Sequence, residues 1–115
     1  GQYDPPVPAD QGGWGFAYGA SKAALIRMAG CIRRELGGQG VRAYSVNPGV
    51  VATEAVTATL GDDGTLAQRY GALPPEAIAQ ALFWLATSPQ APAVARGKDM
   101  LDLPELVKTQ GLWQP

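Results

Sequence analysis

The sequence contains no histidine and a single cysteine, Cys31. The first absence removes the commonest metal ligand and the usual general base near neutral pH. The second excludes an internal disulfide framework and a multi-Cys zinc site. Any proton transfer must therefore use Tyr, Lys or a carboxylate. Nor is there a surplus of positive charge: Lys+Arg number 9 against Asp+Glu 10, a net charge of −1, with no run of one sign. Binding to a phosphate backbone has no electrostatic drive, and nucleic acid is not an expected partner. No apolar run approaches the roughly 18 residues that span a bilayer. The opening Gly1-Gln2-Tyr3-Asp4-Pro5-Pro6 has neither the basic nor the apolar part of a leader, so a membrane is not an expected partner either.

What is present is a 115-residue chain, 46% hydrophobic and 17% charged, whose 15 Gly and 10 Pro cluster at punctuation points between apolar stretches. Residues 1–13 hold Pro5, Pro6, Pro8 and a closing Gly12-Gly13 and read as a loop. Trp14 to Leu36 is rich in Ala, Leu, Ile, Met and Arg and stops at Gly37-Gly38-Gln39-Gly40, the pattern of a long helix with a glycine stop. Val41 to Asn47 is β-branched and aromatic, bounded by Gly40 and Pro48-Gly49, and reads as a strand, with the loop after it running to Thr53. Residues 54–73 mix Val56, Leu60 and Leu66 with the turn Gly61-Asp62-Asp63-Gly64, suggesting two short helical pieces around a tip. Pro74-Pro75-Glu76 opens a second helix to Ser88, with Ile78, Ala81, Leu82, Leu85 and Ala86 as its apolar stripe. Gln90-Ala91-Pro92 breaks the pattern. Arg96 to Asp102 reads as a short last strand, and Pro104 to Lys108 as the start of a final helical turn within the tail to residue 115. The order loop, helix, strand, helix, strand indicates an α/β layer arrangement.

On a helical wheel Lys22, Leu25, Ala29, Ile32 and Leu36 all fall within roughly 40° of Tyr18. Arg27 and Arg34 fall about 160–180° away, where a solvated charge belongs. A lysine on the apolar stripe, one turn after a tyrosine, has two explanations. Lys22 snorkels, its methylenes on apolar surface and its ammonium in water. Alternatively, its charge near the Tyr18 hydroxyl favours the phenolate and equips Tyr18 as a general acid or base. The pair alone does not choose between them.

The wider text adds information. Tyr18-Gly19-Ala20-Ser21-Lys22-Ala23-Ala24-Leu25, then Asn47-Pro48-Gly49-Val50-Val51-Ala52-Thr53, then Pro75 to Ala86 resemble, in order and spacing, the C-terminal half of the short-chain dehydrogenase/reductase family. The resemblance covers about residues 13–91. It implies the C-terminal portion of a doubly wound, Rossmann-like parallel sheet and an oxidoreductase that exchanges hydride between NAD or NADP and an alcohol or carbonyl. Carried over, Tyr18 is the catalytic acid/base, and Lys22 is its phenolate-stabilising and ribose-binding partner. Pro48, Gly49, Val51 and Thr53 contact the cofactor, and 54–73 forms the substrate lid. In this family the tyrosine-bearing helix commonly packs against its counterpart, so the resemblance also implies a homodimer or homotetramer through helix 14–36. Ala20, Ala23, Ala24 and Gly30, which make the back of that helix small and flat, suit either this or close packing within one chain. The expected location is cytoplasmic.

The chain departs from the family pattern in three places. It has no Gly-rich turn after a first strand and no acidic or basic selector roughly 20 residues further on. The family serine, about thirteen positions before the tyrosine, corresponds to Pro5, and the first serine in the chain is Ser21. After the last strand the family runs into an Asp-Gly-Gly turn, whereas here Leu101-Asp102-Leu103-Pro104 continues without one. The chain thus reads as a C-terminal portion of a longer enzyme. The alternatives are a catalytically inactive interaction or dimerisation module of the same fold, and an unrelated small α/β binding protein. Trp14, Trp84 and Trp113 read as packing residues and Cys31 as a small buried thiol.

Overall fold

A computed structural model describes residues 3–49, 51 and 72–114. They fall into two compact units, 1–45 and 46–115. The first unit is dominated by helix α1 (Phe16–Leu36), which follows a 3₁₀ turn at Ala9–Gln11 and ends in another at Gly37–Gln39. The helix begins two residues later than the composition suggests, because Gly15 is extended and serves as its N-cap (φ −88°, ψ 179°). Residues 41–45 form no strand among the described residues. Instead they are tied to the helix by side chains. Arg33 Nη1 donates to Ala43 O at 2.7 Å, and Ser45 Oγ donates to Ile26 O at 2.8 Å.

The apolar stripe read along α1 is largely uncovered. Only Ala29 is buried, while Tyr18 and Leu25 are 54% and 55% exposed. Helical periodicity identifies a face, but covering that face requires another layer, and the described residues of this unit contribute no strand to it. The same reason corrects the expectation for Cys31, whose side chain is exposed.

The second unit is α/β. Strand β1 (Val46–Asn47) pairs in parallel with β2 (Leu101–Asp102), in the register Val46 to Leu101 and Asn47 to Asp102. A further parallel bridge joins Val51 and Leu73. The strand expected over 41–47 is thus paired only at 46–47, since extended backbone counts as a strand only where a neighbour completes its ladder. Between β1 and β2 run helices α2 (Pro75–Thr87) and α3 (Ala91–Ala95), and α4 (Leu103–Gln110) follows β2 directly. Thr53 and nearly all of the expected lid 54–73 lie outside the described residues.

Proline explains two differences from the expected elements. Pro92 reads as an interruption, yet it occupies the first turn of α3, where its missing N–H would have had no partner. Pro104 does the same for α4, which runs well past the single turn expected, with Glu105 in its first turn and Lys108 in its last. The core is formed by Ala77, Ala81 and Leu85 of α2, Ala91 and Ala95 of α3, and Leu101, Leu103, Leu106 and Val107. The buried row of α2 is rotated from the expected stripe: Leu82 is 47% exposed and Ala77 fully buried. α2 packs against α4, and the alanines on its buried row allow close approach. Trp84 and Trp113 are half-buried, in keeping with packing roles.

Candidate active site

The expected site residues fall in both units. In the first, Tyr18 is the third residue of α1 and Lys22 follows one turn later. Both are exposed, and Lys22 Nζ lies 5.8 Å from the centroid of the Tyr18 ring. One helical turn brings i and i+4 side chains together, so the Tyr-x-x-x-Lys spacing is sufficient cause for this meeting. At 5.8 Å the ammonium is in cation–π range of the phenol ring. Ser21, the first serine in the chain, is engaged locally: its Oγ donates to Tyr18 O at 2.9 Å. Pro5, at the position of the family serine, is exposed in the N-terminal segment.

In the second unit, Pro48 and Gly49 are exposed just beyond the carboxyl end of β1, and Val51 is half-buried at its bridge to Leu73. Two details here were not singled out in the sequence. Asn47 Oδ1 accepts a hydrogen bond from the Gly49 N–H at 3.0 Å, an Asx-type turn that the Asn-Pro-Gly order could have signalled. Pro104, at the start of α4, packs beneath the same loop. A Cβ built on Gly49 would stand 3.0 Å from Pro104 Cγ. Gly49 also has φ +68°, in the left-handed region. Both constraints demand glycine, and both leave bare backbone at the end of a parallel strand, where ligands of open α/β sheets bind. These residues fit a cofactor that approaches main chain closely.

Gly49→Ala is therefore expected to destabilise the complete protein by about 1–3 kcal/mol. Chemical denaturation measures this, and an unchanged midpoint would mean that the loop relaxes without strain. A separate cleft of about 170 Å³ lies beside β2 and α4, lined by Lys98, Asp102, Glu105 and Gln110 among others, and holds none of the expected site residues. Among the described residues no group of three or more Cys, Asp or Glu side chains is arranged to hold a metal ion. No helix among them is long and apolar enough to cross a membrane.

Comparison with known proteins points the same way. The family model for short chain dehydrogenases matches residues 9–63. The NADP-dependent 3-hydroxy acid dehydrogenase YdfG of Escherichia coli (strain K12) is 36% identical over 92 residues, covering 72% of this chain and 37% of that protein. The proteins of the same name from Shigella flexneri and Salmonella typhimurium (strain LT2) are 36% and 37% identical over the same shares. The chain thus spans little more than a third of the length of the relatives it matches. No solved structure matches it significantly. With the tyrosine and lysine one turn apart on α1, and the Asn-Pro-Gly loop closing a parallel strand, the chain belongs to the short-chain dehydrogenase family.

Proposed function

We propose that the complete protein carrying this chain is an oxidoreductase that moves hydride between NAD or NADP and an alcohol or carbonyl substrate, with Tyr18 as acid/base. The observation that carries this reading is the meeting of Tyr18 and Lys22 on the exposed start of α1. A phenol hydroxyl and an ammonium one turn apart on an exposed helix start are groups that can exchange a proton with a substrate and hold a bound cofactor. In the reducing direction Tyr18 Oη–H gives its proton to the carbonyl oxygen, and in the oxidising direction Oη takes it from the hydroxyl. Lys22 binds the nicotinamide ribose. Pro48, Gly49, Val51 and Thr53 hold the cofactor, with Gly49 offering main chain unobstructed by a side chain. When bound, the nicotinamide supplies or accepts the hydride.

The parallel pairing of β1 with β2 supports a portion of a doubly wound sheet, its C-terminal part. The names of the relatives favour NADP and a 3-hydroxy acid as the pair to try first. The test is to mix the complete protein with NADP and a series of 3-hydroxy acids and simple alcohols, and to follow the near-ultraviolet absorbance of the reduced nicotinamide. Turnover with one of them supports the reading; none with either NAD or NADP, in either direction, overturns it.

One observation favours a second role for the same helix, as an association surface. Leu25 and Met28, one turn apart on α1, are each about half exposed and form a small apolar patch, while Phe16, 90% exposed, lies on the opposite side of the helix from Leu25. This patch supports a homodimer or homotetramer through α1, whether the protein turns over substrate or is an inactive association module. Light scattering that returns a monomer for the complete protein rules out this part.

A further inference from the structure

We infer that Trp14 is a positioning residue that holds the Tyr18 ring in its working orientation. The inference rests on the proposed role of Tyr18. With Gly15 as N-cap and Phe16 as the first helical residue, Trp14 stands just outside α1 and Gly19 is the fourth residue inside it. These two positions form the hydrophobic staple that fixes how a chain enters a helix, usually through a pair of apolar side chains. Here the inner position has no side chain, and the indole occupies the space. A Cβ on Gly19 would lie 3.3 Å from Trp14 Cδ1 and 3.5 Å from Nε1. The Gly19 N–H donates to Gly15 O at 3.0 Å, so the backbone under the indole is itself fixed by a hydrogen bond of the first turn.

From that seat Trp14 reaches Tyr18. The ring centroids are 6.4 Å apart and the planes inclined at 53°, a tilted arrangement within the range of favourable aromatic pairs. The phenol thus has two ring contacts, the indole of Trp14 and the Lys22 ammonium. Trp14 is half-buried, whereas Phe16 beside it is 90% exposed, so the indole is the aromatic group that packs. A half-exposed tyrosine near a helix start otherwise samples several rotamers, and each carries its hydroxyl to a different place. Proton transfer needs that hydroxyl within hydrogen-bond reach of the substrate oxygen, and a displacement near 1 Å is enough to slow it markedly.

The test uses the complete protein and two kinds of readout. Trp14→Ala is expected to lower kcat about tenfold and to leave the cofactor KM within about twofold, while Trp14→Phe restores most of the rate. Gly19→Ala alters neither aromatic residue but displaces the indole by a few tenths of an ångström, and it lowers kcat in the same direction. In a Tyr18→Phe background, Trp14→Ala produces no further loss, because the ring it orients no longer carries the proton. Independently of turnover, the NMR order parameter of a labelled Tyr18 ring falls in Trp14→Ala and recovers in Trp14→Phe. If Tyr18→Phe is inactive while Trp14→Ala keeps the wild-type kcat and ring order, the positioning role is overturned. A loss of rate of the same size in both backgrounds, matched by a lower melting temperature, also overturns it in favour of a purely structural staple. If Tyr18→Phe is fully active, the acid/base reading fails, and the order parameter still decides whether Trp14 holds the ring.

Discussion

Replacing Tyr18 with Phe in the complete protein lowers kcat by about 10²- to 10⁴-fold while leaving cooperative unfolding in place. The substitution removes one oxygen from a side chain that is 54% exposed, so packing changes little. What disappears is the group that gives or takes the proton as the carbonyl or hydroxyl reacts. Lys22 is a poor substitute, since its ammonium lies 5.8 Å from the ring centroid and is strongly hydrated when exposed. A steady-state assay with saturating cofactor, beside a thermal melt, separates chemistry from folding. A variant with unchanged kcat would falsify the assignment of Tyr18.

The largest stability effect is expected at Leu103. It is fully buried at the first position of α4, directly after β2, with Leu101, Leu106 and Val107 also buried around the same junction. Leu103→Ala should cost about 2–5 kcal/mol, from the lost transfer of apolar surface and from the cavity left where packing cannot collapse. Denaturant titration of the complete protein measures it. A loss below about 1 kcal/mol would mean that α2 and α4, which pack against each other, close over the gap.

The sequence made the long helices and the chemical pair legible, for physical reasons that can be named. Glycines after Leu36 and prolines before Glu76 punctuate α1 and α2 strongly, so those elements begin and end within two residues of their expected limits. Tyr18 and Lys22 meet because four residues make one turn. Burial was harder to read. Ala77, not Leu82, lies on the buried row of α2, because the partner helix selects the side where small residues allow close approach. The extent of β1 is likewise invisible, since Val41 to Ser45 has strand composition but the Ala43 carbonyl accepts from the Arg33 side chain of α1 and the Ser45 hydroxyl donates to the Ile26 carbonyl of α1. In the sequence Trp14 reads as a packing residue. What it packs against depends on a helix start two residues later than expected, which makes Gly19 the empty inner half of a staple.

The parallel pairing of Val46 with Leu101 joins residues 55 positions apart. Bringing such distant segments together costs about 3–4 kcal/mol in chain-closure entropy, more than two residues of ladder return by themselves. The pairing must therefore draw on the packing of α2 against α4, which flank β2 in the chain, and it belongs late in the folding sequence, after these helices have met. The order of events ties the Asn47-Pro48-Gly49 loop to a core that lies outside it. Loosening the junction at Leu103 would be felt first as an unzipped β1 and a cofactor loop without its Pro104 support, before the helices themselves unfold.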